Sequence, residues 1–251
     1  SRPIRQVGDR AILVEFGARI GSDVLDRVSA LDRAIIAARL PGVVETIPSY
    51  ASVLVVFDPV LADPERLLAQ LTRLRTEPLA SPRRKTRRWH VPVLYGPPYG
   101  IDLDEVAERS GMSPRDVVNA HVGASYRVYM LGFLPGFAYL GGLPAVLATP
   151  RRSSPRPVAP AGVIAIGGAQ TAVGSIAGPC GWNIIGRTPM RAFMPQRDPV
   201  TLLAAGDERA GDGEHDDSGR VEESDEGGES LFKWHWPGLS ASPQRSFKAS
   251  G

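Results

Sequence analysis

Cysteine is almost missing from this 251-residue chain: Cys180 is the single one. An internal disulfide and a cysteine-built metal cage are therefore excluded, and a reducing cytoplasm is the expected setting. Long apolar runs are missing too. No stretch approaches the ~18 uninterrupted apolar residues that mark a bilayer span, and Ser1-Arg2-Pro3-Ile4-Arg5 has no signal-peptide core. Neither a membrane contact nor classical secretion is expected. The G-x-x-x-x-G-K-[ST] phosphate loop, the H-E-x-x-H metal helix and the G-x-S-x-G nucleophile elbow are all lacking. The four histidines, at 90, 121, 215 and 235, never stand four apart, so no metal site is expected.

Net charge is nearly lacking as well, but this neutrality is a sum of unlike parts. The chain carries 29 Lys plus Arg against 27 Asp plus Glu, for a formal +2. Residues 1–206 hold 24 basic and 16 acidic side chains, about +8, whereas residues 207–230 hold 11 acidic and 2 basic, about −9. Basicity spread so thinly reads as a solvated surface, and no nucleic-acid partner is expected. The densest basic cluster, Arg83-Arg84-Lys85-Thr86-Arg87-Arg88, has no aromatic residue interleaved and reads as a linker.

What is present suggests an α+β fold. Ala11–Phe16 reads as a buried strand. A helix follows in which Val24, Leu25, Val28, Leu31, Ile35 and Ile36 recur at three-and-four spacing, with Ser22 as a cap and Pro41-Gly42 as the stop. Residues 43–47 and 52–57 read as strands, and a second helix from about Pro64 turns Leu67, Leu68, Leu71 and Leu74 inward. This β-α-β-β-α order is the start of a ferredoxin-like unit, assigned to residues 1–82, with 83–88 as the linker. From Trp89 the texture changes to short strands and turns, with helices at 103–109 and from Ser113-Pro114 to about His121. Residues 90–94, 126–130, 163–166, 182–185 and 191–193 read as strands, and Gly132–Gly142 as a loop. Residues 89–206 form a second, barrel-like domain on this reading. Residues 207–251 form an acidic tail too poor in apolar residues to order itself, with an aromatic island at Leu231–Trp236.

Candidate chemistry falls in two stretches. His121, Tyr126 and Tyr129 precede a loop whose Pro135 and Gly136 fix an irregular backbone, and whose Phe133, Phe137 and Tyr139 offer either the walls of a small-ring pocket or a packed corner. Between Arg151 and Arg187, the residues Arg151, Arg152, Arg156, Gln170, Asn183 and Arg187 stand among glycines. They suit either bidentate capture of a carboxylate or phosphate, or simple exposure. Cys180 in Gly178-Pro-Cys-Gly-Trp182 reads as a small residue in a tight turn rather than a nucleophile paired with His121.

Gly8-Asp9, Tyr95-Gly96, Gly100-Ile-Asp-Leu103, Tyr129-Met-Leu-Gly-Phe-Leu-Pro-Gly-Phe-Ala-Tyr-Leu140, Pro150-Arg151, Pro155-Arg156, Pro160-Ala-Gly162, Gly167-Gly-Ala-Gln-Thr171 and Gly181-Trp-Asn-Ile-Ile-Gly-Arg-Thr-Pro189 follow one another in a specific order. Together they resemble the family of the 5-oxoprolinase B subunit, whose other names are allophanate hydrolase subunit 1, the carboxyltransferase C/D subdomain and the sporulation kinase inhibitor. The resemblance spans about residues 5–207 and implies an N-terminal α/β domain and a cyclophilin-like β-barrel. It further implies one part of a hydrolase that opens 5-oxo-L-proline to L-glutamate with ATP. The other parts on this resemblance are a C subunit of the carboxyltransferase A/B type and an A subunit, with ATP held mainly by a partner. The family's other labels imply two alternatives: inhibition of a histidine kinase, or an allophanate-linked hydrolase or carboxyltransferase role. On this resemblance His121, Arg156 and Arg187 are the candidate catalytic residues. Tyr129, Phe133, Pro135, Gly136, Phe137, Gln170 and Trp182 are the candidate substrate-binding ones.

Overall fold

The computed structural model describes residues 3–76 and 87–207, together with the backbone of 234–235. These residues build two sheets with separate apolar cores. The first sheet contains β1 (Ile4–Val7), β2 (Ala11–Glu15), β3 (Val43–Pro48) and β4 (Ser52–Phe57) in the antiparallel order β1-β2-β4-β3. Alternation sends Ile12, Val14, Val53, Val55 and Phe57 to one face. There α1 (Ser22–Ala38) and α2 (Pro64–Thr76) cover them with Val24, Val28, Leu31, Ile35, Leu67 and Leu71.

Several expectations are corrected here. β1 is an additional strand: its burial is confined to Ile4, so it carries no alternating signal. Ile36 faces outward at 62% exposure, because Ile35 already occupies the inner stripe. The α1 cap is Gly21, without a side-chain bond, and the helix ends on Arg39 in the left-handed region (φ 45°) rather than on the glycine at 42.

The second sheet has six strands. They are β6 (Leu94–Tyr95), β7 (Arg127–Leu131), β8 (Ala138–Gly141), β10 (Val163–Gly167), β11 (Gln170–Val173) and β13 (Asn183–Arg187), in the order β6-β13-β10-β11-β8-β7. Its end strands do not pair with each other, so among the described residues it is an open sheet and not a closed barrel. The strands β9 (Arg156–Ala159) and β12 (Gly178–Cys180) form a separate antiparallel pair. β5 (Val91–Pro92) pairs in parallel with β14 (Trp234–His235), the one part of the aromatic island that is described. The loop expected over 132–142 is half strand, since Ala138 and Leu140 alternate into the core. Conversely, the strand expected at 191–193 is reduced to a single bridge between Phe193 and Thr201.

The sheet's two faces differ in kind. One face turns Ile164, Ile166, Val173, Ile185, Ala138 and Leu140 toward α3 (Leu103–Ser110) and α4 (Pro114–Gly123). The start of α4 is as expected: Pro114 opens it and the Ser113 hydroxyl accepts from the Asp116 N–H at 3.1 Å. The other face carries small residues, Ala165 and Ala172 with Val163 and Ile184, beneath Ala159 and Cys180 of the β9/β12 pair. Asp207, expected to begin the tail, is 1% exposed. Its carboxylate accepts from Trp89 Nε1 (3.1 Å) and Arg87 Nη2 (3.3 Å), which ties the end of this unit to its beginning. Residues 83–86 of the basic cluster, and the remainder of the tail, lie outside the described residues.

Candidate functional site

Gln170 and Ala172 alternate with Thr171 on β11, and this alternation separates the candidate residues into two groups. Thr171 points into the helix-covered core and meets His121. The imidazole is completely buried, with Nδ1 2.8 Å from the Tyr95 hydroxyl and Nε2 3.0 Å from Thr171 Oγ1. Tyr126 stacks on the ring at 5.1 Å, and its hydroxyl donates to the His121 carbonyl at 2.9 Å. The structure thus gives His121 the geometry of an orienting group that ties α4 to β6 and β11. Cys180 lies on the other side of that sheet, its thiol buried 3.7 Å from the Trp182 carbonyl.

The small-residue face gathers most of the others. Phe137, just before β8, and Tyr139, on it, have ring centroids 4.8 Å apart. Tyr139 meets Trp182 edge-on at 5.7 Å, and Phe133 meets Phe137 edge-on at 5.8 Å. Phe133 is 62% exposed and holds a left-handed backbone (φ 70°), which turns its ring to the mouth of the cluster. Pro135 is exposed beside it, and Gly136 is buried beneath. Trp182 lies flat against the sheet only because position 167 is glycine: a Cβ there would come within 2.4 Å of the indole. The Arg151 guanidinium sits 5.6 Å above the Trp182 ring, within cation–π range.

Sequence reasoning did not anticipate Tyr50, which enters this cluster from the turn between β3 and β4. Its ring meets Tyr129 (6.4 Å) and Tyr139 (5.9 Å) edge-on, and its hydroxyl donates to Gln170 Oε1 at 3.1 Å. Ser49 Oγ to Met130 Sδ (3.6 Å) and Arg127 to Asp26 (2.6 Å) join the two sheets alongside it. Burial pushes the Tyr50 phenol up to about 12 and raises that of Tyr139, with Arg151 pulling both back. Both phenols are therefore neutral donors across the physiological range.

The arginines take different places. Arg187 sits opposite Val163 on the small-residue face, and its Nε donates to the Ala161 carbonyl at 2.8 Å. Arg156 and Arg152 converge on Asp102, also missed from sequence. Asp102 is 4% exposed; its Oδ1 accepts from Arg156 Nη2 at 2.6 Å and from Arg152 Nη1 at 3.2 Å, while Oδ2 accepts from the Ile184 N–H at 2.7 Å. Its hint in the sequence was membership of the Gly100-Ile-Asp-Leu103 motif, to which no role was attached. Among the described residues no cluster of metal-ligating side chains occurs, and no helix is long and apolar enough to cross a membrane.

The carboxyltransferase domain family, subdomain C and D, matches residues 2–203. The 5-oxoprolinase B subunit of Bacillus subtilis (strain 168) is 40% identical over 214 residues, covering 81% of this chain and 89% of that protein. The 5-oxoprolinase B subunit of Escherichia coli O157:H7 is 39% identical over 204 residues, covering 80% and 91%. Among solved structures, TTHA0988 superposes with a TM-score of 0.72 at 30% identity, covering 93% of this chain but 41% of that one.

Proposed function

The chain belongs to the carboxyltransferase C and D subdomain family, and from that premise we propose that it is the B subunit of an ATP-dependent 5-oxoprolinase, a cytoplasmic complex completed by its A and C subunits. The observation that carries this reading is the 40% identity that extends over 89% of a relative bearing that name.

The chemical problem fits a divided enzyme. A lactam carbonyl is a poor electrophile because its nitrogen lone pair is delocalised into it, and phosphorylation of the carbonyl oxygen is the activation that ATP supplies. Two of the guanidinium groups, Arg152 and Arg156, are already committed to Asp102, and the chain has no phosphate loop. ATP is therefore assigned to a partner in the complex, and this chain's contribution is to bind and orient. Phe133, Phe137, Tyr139 and Trp182 offer apolar faces to a five-membered ring. Arg187 supplies a cation held by one edge. Arg156 acts indirectly, by fixing β9 over the floor, and His121 by setting β11.

The test is reconstitution of the full chain with the A and C subunits and measurement of ATP-dependent glutamate release from 5-oxo-L-proline. Arg187→Ala is expected to lower the rate about 10- to 100-fold, the scale of a lost hydrogen bond to a charged group. An inactive wild-type complex would overturn the functional reading. An unchanged rate in Arg187→Ala would remove that residue from the site. If the chain instead captures a histidine-kinase dimerisation domain and the complex releases no glutamate, the inhibitor role replaces the enzymatic one.

A further inference from the structure

Tyr50 and Gln170 form a polar pair that joins the two sheets inside the aromatic cluster, and its geometry leaves a donor over. The Tyr50 hydroxyl occupies Gln170 Oε1 at 3.1 Å, whereas Gln170 Nε2 is buried without a hydrogen-bond partner. A buried amide N–H without an acceptor costs roughly 1–3 kcal/mol, so such a group in a folded protein calls for an explanation. Tyr129 and Tyr139 pack edge-on against Tyr50 and hold its ring, which prevents the hydroxyl from releasing the carboxamide to turn over. Arg151 borders the same cluster: its guanidinium lies 5.6 Å over the Trp182 ring, which in turn meets Tyr139 edge-on. No carboxylate forms a hydrogen bond or an ion pair with any of these groups among the described residues. The cluster thus presents donors, a cation and ring faces, and it lacks an acceptor.

We propose that Gln170 Nε2, with Arg151, receives the carboxylate of a small ring-bearing acid, and that Tyr50 is a specificity residue lent by the β3–β4 turn to hold the carboxamide in its donating orientation. This deepens the proposed function, on which it rests for the identity of the acid. It also makes the binding face a composite of both sheets, so that neither sheet forms it alone.

The probes are 5-oxo-L-proline, cyclopentanecarboxylate (a ring acid with no amide) and 2-pyrrolidinone (the lactam with no carboxylate), each titrated against the full chain by thermal shift. Both acids are expected to raise the melting temperature and 2-pyrrolidinone is not. Gln170→Glu, nearly isosteric, replaces the donor with a like charge and is expected to abolish the shift. Tyr50→Phe keeps the ring contacts and is expected to weaken both acids about 5-fold, the order of one neutral hydrogen bond. The proposal is overturned if no acid shifts the wild type, if 2-pyrrolidinone binds as well as the acids, or if Gln170→Glu binds them undiminished. Gln170-dependent binding of cyclopentanecarboxylate, in a protein whose reconstituted complex does not turn over 5-oxoproline, would support this inference while the functional reading failed.

Discussion

Asp102→Ala is expected to destabilise the protein by about 3–5 kcal/mol, the range for breaking a buried ion pair by removing one partner. The carboxylate is 4% exposed and serves three donors at once: Arg156, Arg152 and the Ile184 N–H. Its loss leaves two guanidinium groups facing each other and strands a main-chain donor in the core. The joint is close as well as charged. The Asp102 N–H donates to the Ile184 carbonyl at 2.9 Å, and a Cβ on Gly100 would lie 1.9 Å from the Ile185 carbonyl oxygen. Both arginines are partly exposed (side chains at 21% and 27%), so water offsets some of the loss and the effect falls at the lower end of the range. Asp102→Asn keeps an acceptor for Ile184 and should fall between wild type and alanine. Urea unfolding checks this through the midpoint at constant slope. A change below about 1 kcal/mol would mean that solvent already screens the cluster.

His121→Ala is expected to cost a similar amount, about 3 kcal/mol or more, from an unfilled cavity together with one hydrogen bond lost by each of two hydroxyls. The ring is wholly buried and serves Tyr95 on one side and Thr171 on the other. Because Tyr95→Phe removes half of the same network, the two substitutions should be non-additive by at least about 0.5 kcal/mol in a double-mutant cycle. This separates an orienting histidine from a proton-transferring one. An orienting residue lowers unfolding stability and activity together. If His121→Ala left the unfolding midpoint unmoved yet abolished glutamate release, the imidazole would have a direct part in the chemistry.

The order of helices and strands through residue 76 was readable because each element there has one buried face, and its period reaches the sequence undisturbed. The exception, β1, buries only Ile4 and has no such period. The second sheet was harder to read because it is covered on both faces. Val163–Gly167 is buried at every position, so its pattern does not alternate, and a strand such as β11 with the sequence Gln-Thr-Ala-Val has little apolar character of its own. The same cause split the candidate residues. Tyr129, Phe133, Phe137, Gln170 and Trp182 gather around the small-residue face, whereas His121 reaches the opposite one. Tyr50 carries no local mark, and Asp102 none beyond its place in the Gly100-Ile-Asp-Leu103 motif. Each acquires its importance from a residue more than fifty places away: Gln170 for Tyr50, and Arg156 with Ile184 for Asp102.

By itself, the sequence determined composition, the charge division near residue 206, the helices, and an ordered run of motifs specific enough to point to a family. These are properties of neighbouring residues or of their linear order. Tertiary structure alone decided that the six-stranded sheet stays open, that His121 and Gln170 serve opposite faces of it, that Asp207 belongs to the body, and that a tyrosine from the first sheet completes a site on the second. The physical reason is that hydrogen bonds and ring contacts act over a few ångströms in space. The chain brings residues as far apart as 50 and 170 within that range only when both sheets have formed.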